Sequence, residues 1–215
     1  MFYFDDLCHH FPSTIETFQR HVLVNDTFEE PILQSFRDNL TDTYRFWDSI
    51  PANCIILSAM EYFNGCALEE RPTIRDMKLL DTAESWPYYL RNKTGVAAAY
   101  AFMIYPKDRN SDVSAYIQAM GDMCFFINVV NDLLSFHKEQ LAGETNNYVH
   151  VRARITRKSI QDTLHDVAKE SSAAHARITK ILQFTDGATA WKRFVDGYLT
   201  LHLTQSRFRL NELGF

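Results

Sequence analysis

Three polar residues, Asn131, Ser135 and Glu139, stand at four-residue steps within the stretch VNDLLSFHKE, Val130 to Glu139. On an α-helix that spacing brings an amide oxygen, a hydroxyl and a carboxylate within about an 80° arc and ~12 Å of axis. Oxygen donors of this kind suit a hard cation such as Mg²⁺. Three cannot fill an octahedron, which leaves positions for water and phosphate oxygens. Lys138, next to Glu139, adds a point charge that a diphosphate could use. A polar stripe facing solvent is the other reading of the same spacing. Against it, Met123, Phe125, Phe126, Ile127, Val129, Val130, Leu133, Leu134 and Phe136 surround the trio nearly all round. A helix apolar on most faces is buried, and buried polar groups need partners. Spacing alone leaves both readings open.

Helices must position these residues. The chain has few Gly and Pro, and no Pro follows Pro106, which favours an all-α fold. Ser13-Thr14-Ile15-Glu16 reads as a capping box, and Pro31 as a first-turn residue of a helix over about 31–48. Periodicity predicts further helices over about 52–64, ending at Gly65, and about 86–104, closed by Pro106. The longest, about 111–141 with Ser111 as N-cap, carries the trio. Two more cover about 158–183 and 188–212, while 141–157 is expected to be a loop. With no repeat, low-complexity tract or linker, residues 1–215 form one helical domain.

Composition narrows the function. Net charge is −5 and no Lys/Arg block occurs, so a nucleic-acid partner is not expected. The aromatic fraction of 13% suits a large core or a ring-lined pocket. Cys8, Cys54, Cys66 and Cys124 show no metal-ligand spacing and read as reduced, buried thiols. The N-terminal segment lacks a signal-peptide pattern, and no run of eighteen apolar residues predicts a transmembrane segment. A cytoplasmic location is expected. The eight His residues, His202 among them, form no HExxH or ligand triad and read as surface or core histidines.

Asn131 to Glu139, NDLLSFHKE, resembles the NDxxSxxKE form of the metal motif of class I terpene cyclases, and specifically the trichodiene synthase family of fungal sesquiterpene cyclases. Collinear segments extend the likeness: YFDDL from Tyr3, EYFNGC from Glu61, YPK from Tyr105, GYLTLHL from Gly197 and RFRL from Arg207. The resemblance implies a class I terpene synthase-like helical bundle with lyase activity. A prenyl diphosphate such as farnesyl diphosphate would ionise with as many as three Mg²⁺, release diphosphate, and cyclise in an aromatic-lined pocket. Asn131, Ser135 and Glu139 would then hold one Mg²⁺, and Lys138 and Arg207 would contact diphosphate. Phe208 stands where the family has a Tyr. Tyr62, Phe63, Phe125, Phe126, Tyr198 and Phe208 are candidate pocket rings that could steady a carbocation.

Two departures from the family pattern carry expectations of their own. The family's aspartate-rich motif aligns before residue 1, and Asp5-Asp6 is the candidate second metal pair, although the third residue after Asp6 is His9 rather than an acid. A bundle incomplete on its N-terminal side would have an open apolar flank, to be covered by a homodimer partner or another chain. The family's diphosphate-sensing Arg aligns with Leu57, which cannot donate to phosphate. These departures frame an alternative: a truncated or impaired relative that binds prenyl diphosphate, or a partner synthase, without turnover.

Overall fold

The computed structural model describes residues 12–109 and 112–214. Ten α-helices are present among them: α1 (Pro12–Leu23), α2 (Pro31–Phe46), α3 (Ser49–Glu69), the single turn α4 (Pro72–Arg75), α5 (Trp86–Thr94), α6 (Ala97–Met103), α7 (Met120–Ala142), α8 (Tyr148–Thr156), α9 (Ile160–Leu182) and α10 (Gly187–Thr204). Short 3₁₀ turns lead into α7 and follow α10. No strand occurs among the described residues, so the all-α expectation holds.

The innermost helix is α7, with α6 packed on one side and α9 on another. Its buried residues take in both sides of the helix: Met120, Met123, Phe126, Ile127, Val129 and Val130 occupy one half of the circumference, and the polar residues Asn128, Asp132 and Ser135 the other. By length and composition Ile117–Ala142 would also suit a membrane span, but here its apolar surface is spent on neighbouring helices. The partner α9 shows the complementary pattern. Its buried residues Thr163, Val167, Ser171, Ala174, Ile178 and Leu182 recur every three or four positions, a single stripe laid along α7. Ser159 caps α9, its hydroxyl accepting from the Asp162 N–H at 3.0 Å.

Several boundaries differ from those expected, each for a local reason. Gly65 does not end α3 but lies inside it, because α5 crosses there. A Cβ at Gly65 would stand 2.9 Å from the Lys93 backbone carbon. The predicted helix over 86–104 is broken at Gly95-Val96, where Val96 adopts a left-handed φ of 52° while buried. That conformation is strained for a β-branched residue, and the surrounding packing holds it. Residues 148–156 form a helix, not a loop: Tyr148, Val149, Val151, Ala153 and Ile155 are buried, and Asn147 caps the turn through its Oδ1 and the His150 N–H, 3.0 Å apart. The Ser13 capping box is not formed, since Ser13 already lies inside α1 and Glu16 pairs with Arg71. Ser111 and Cys8 lie outside the described residues; Cys54, Cys66 and Cys124 are free thiols.

An aromatic knot joins α1 to α3. Phe18 is fully buried, stacked on Phe63 at 3.9 Å and on Phe28 at 5.0 Å between ring centroids. Truncating such a ring removes its transfer energy and leaves a cavity. Phe18→Ala is expected to destabilise the chain by about 3–5 kcal/mol, measured as a shift in urea denaturation midpoint at unchanged slope. A shift under about 1 kcal/mol would mean that α1 is not part of the cooperative core.

Candidate active site

The trio on α7 meets its surroundings from three other helices. Arg91 projects from α5, and its Nε donates to Asp132 Oδ1 at 2.6 Å. The same guanidinium donates from Nη2 to Asn131 Oδ1 at 3.0 Å and to the Asn128 carbonyl at 3.3 Å. Both members of the ion pair are largely removed from solvent. Burial raises the Asp132 carboxyl above its ordinary range, and Arg91 acts against that rise. For Arg91, burial works against the charge and Asp132 more than offsets it, so the guanidinium stays protonated.

From α10, His202 reaches the other side of Asn131, with Nε2 3.0 Å from the amide Nδ2. Burial keeps the His202 pKa below the ordinary imidazole value. Further along α7, Glu139 Oε2 accepts from Asn147 Nδ2 at 2.9 Å. The residue that caps α8 therefore also anchors this carboxylate. Between them Ser135 is 1% exposed, and its hydroxyl has no hydrogen-bond partner among the described residues. An unpartnered buried hydroxyl one turn from Asn131 and one turn from Glu139 is a donor atom that a cation would use, although Ser135, unlike those two residues, is in the wall of neither adjoining cavity.

Two cavities meet at this cluster. One, of about 390 Å³, is mainly apolar, with Tyr62, Val96, Tyr100, Ile127, Phe194 and Tyr198 in its wall. The other, of about 620 Å³, is a polar cleft bordered by Glu69, Arg75, Asp132, Glu139, Asn147 and Arg154. Arg91, Thr94 and Asn131 line both. Gly95 makes this junction possible: a Cβ there would lie 1.8 Å from Asn128 Oδ1 and 2.6 Å from Arg91 Nη1.

The remaining expected site residues are scattered. Lys138 lies beside Glu139, with Nζ 3.9 Å from Oε1, but lines neither cavity. Arg207 is exposed on the turn after α10, its guanidinium 5.7 Å from the Phe208 ring centre. Of the candidate rings, Tyr62 and Tyr198 line the apolar cavity, and Tyr198 also donates its hydroxyl to the Ile127 carbonyl at 2.9 Å. Phe63, Phe125, Phe126 and Phe208 do not line it. Phe63 belongs to the knot with Phe18, Phe125 packs against Tyr88, Phe126 against Trp191, and Phe208 against His202. Leu57, where the resemblance would place a diphosphate-sensing residue, is 60% exposed on α3. Asp5 and Asp6 lie outside the described residues.

Sequence reasoning missed Arg91, Asn147 and the contact of His202 with Asn131. One signal for Arg91 existed: Asp132 on a helix expected to be buried requires a cationic partner. Nothing in the spacing said which of the chain's cations would supply it. Tyr100 and Phe194 were also missed as cavity rings.

A family model described as trichodiene synthase matches residues 1–214. The terpene synthase BipA of Cochliobolus sativus is 34% identical over 197 residues, which cover 90% of this chain and 61% of that protein. Terpene synthase 29 of Postia placenta is 38% identical over 198 residues, 90% of this chain and 57% of its own length. The alpha-cuprenene synthase COP6 of Coprinopsis cinerea shares 29% over 212 residues, 98% of this chain and 64% of that one. The chain thus spans roughly three-fifths of the length of these relatives. On a family match that takes in all but its last residue, the chain belongs to the trichodiene synthase family.

Proposed function

We propose that this chain acts as a terpene cyclase, ionising a prenyl diphosphate of the farnesyl class and closing the resulting carbocation in the apolar cavity. The observation that carries the reading is the junction of the two cavities at Arg91 and Asn131. An apolar chamber opening on a cleft with Arg75, Arg91 and Arg154 in its wall matches a ligand with a hydrocarbon tail and a polyanionic head. The relatives, terpene synthases and an alpha-cuprenene synthase by name, point the same way.

The residues present fit Mg²⁺: Asn131 Oδ1, the unpartnered Ser135 hydroxyl and the Glu139 carboxylate would hold it. When bound, it supplies Lewis-acid stabilisation of the negative charge on the diphosphate. Acids in the same cleft, Asp132 and Glu139 among them, would otherwise repel that head group. The chain's own residues carry the rest. Arg91, at the boundary of tail and head, is the donor available to the oxygen that takes the electron pair as the allylic C–O bond breaks. Tyr62, Tyr100, Phe194 and Tyr198 supply aromatic side chains to the wall around the cation left behind, and the cavity they shape limits water access to it. The diphosphate leaves with the bonding pair, and the cation is discharged by loss of a proton.

The test is diphosphate release from farnesyl diphosphate with Mg²⁺ present. Asn131→Ala and Glu139→Ala are each expected to lower it by about a hundredfold or more, and chelation by EDTA to abolish it. Release that survives EDTA, or that neither substitution changes, would overturn the reading. Binding of a non-reacting diphosphate analogue without any turnover would instead mark the chain as a binding relative. Gly95→Ala supplies a second check. The new methyl must displace Asn128 and Arg91, so it should cost about 1–3 kcal/mol of stability together with a loss of turnover. Full activity in Gly95→Ala would show that the Arg91 position is not required.

A further inference from the structure

The residues of α10 nearest the trio line up in a way the cyclase reading does not by itself require. His202 is fully buried, and its Nδ1 lies 2.8 Å from the Tyr198 carbonyl oxygen, one turn back in the same helix. A carbonyl only accepts, so Nδ1 carries the hydrogen. In the neutral ring Nε2 then carries the lone pair. The group 3.0 Å from Nε2 must therefore be a donor, which assigns Asn131 Nδ2 to that side and Oδ1 to the other. Arg91 gives the same assignment independently, because a guanidinium has no acceptor and its Nη2 faces Oδ1 at 3.0 Å. The amide orientation is thus set by the network rather than chosen.

The two constraints differ in kind. A cation on Oδ1, or a phosphate on the guanidinium, competes with the Arg91 contact. Neither competes with the contact to His202, which is made by the nitrogen end of the amide. The imidazole is itself pinned between two rings, Tyr198 at 4.5 Å and Phe208 at 4.4 Å between centroids. Tyr198 in turn donates to the Ile127 carbonyl, one turn before Asn131 on α7.

The geometry points to His202 as a positioning residue that holds the Asn131 amide with its oxygen toward the cation. This rests on the trio being a divalent-cation site. It is a specific instance of a partner behind a ligand fixing the ligand's orientation, and it gives buried Phe208 a part in supporting that partner.

The experiment measures Mn²⁺ binding by electron paramagnetic resonance on the full chain, with inorganic diphosphate present, and compares substitutions at His202 in two backgrounds. His202→Phe keeps a ring between Tyr198 and Phe208 but removes the acceptor. It is expected to weaken Mn²⁺ binding by about tenfold or more. His202→Gln, whose side-chain oxygen can replace Nε2 as acceptor, should stay within about threefold of the unaltered chain. In an Asn131→Asp background a carboxylate presents oxygen whichever way it turns and offers Nε2 no N–H, so adding His202→Phe is expected to leave Mn²⁺ binding unweakened or to tighten it. Equal weakening in both backgrounds would reduce His202 to a packing role, and undiminished binding in His202→Phe with Asn131 present would remove it from the site altogether. Should the phenylalanine variant fail to fold by circular dichroism, His202→Leu makes the same comparison. An unaltered chain that binds no Mn²⁺ overturns the metal-site reading itself, an outcome separate from any pattern among the variants.

Discussion

A charge pair buried at the innermost helix organises this molecule. Asp132 is buried on α7, on the side that also carries Asn128, Asn131 and Ser135, and a lone carboxylate buried there would be driven to take up a proton. Arg91 resolves the problem from α5, at 2.6 Å. Removing one partner from such a pair typically costs about 3–5 kcal/mol, because the other charge is left buried without compensation. The arrangement therefore constrains far more than two residues. α5 must end where its guanidinium can reach α7. The chain must then turn at Gly95, where any side chain would strike Asn128 and Arg91. Val96 accepts a left-handed backbone as part of the same turn. The junction between the apolar and polar cavities follows from this one contact.

Electrostatics and shape work together at that junction. Arg91 is committed to Asp132 through Nε and to Asn131 through Nη2, so its plane is fixed before any ligand arrives. Preorganised donors of this kind need no reorganisation at the moment charge develops. The cleft around it mixes both signs, with Glu69, Asp132 and Glu139 facing Arg75 and Arg154. Such a mixture suits an anion only when a cation accompanies it, which is consistent with the oxygen donors aligned on α7.

The sequence made the trio and the helical architecture legible because both rest on local periodicity. Asn131, Ser135 and Glu139 share a face by arithmetic alone, and the helix over about 158–183 was expected close to where α9 lies. What stayed hidden depends on contacts between distant segments. Arg91 and Asn131 are 40 positions apart, and no spacing rule connects them. Gly65 looked like a helix end because a glycine inside a helix is disfavoured; only the crossing of α5 explains its presence. The helix at 148–156 was concealed by alternating basic and apolar residues, whose burial depends on α5 and α9. Three of the aromatic residues expected at the pocket, Phe63, Phe126 and Phe208, are buried away from it, and Phe125 is half-buried elsewhere, since ring type cannot tell a cavity wall from the packing behind it.

Asn147 has a double attachment whose consequence reaches beyond the site. One end of its amide closes the first turn of α8 and the other holds Glu139. A helix start is the part of a helix most easily frayed, yet here it is tied to a carboxylate one helix away. Unwinding of that first turn therefore takes from the Glu139 carboxylate its Asn147 donor. The segment from Gly143 to Asn147 thereby joins the wall of the polar cleft to the start of α8, which packs on α9.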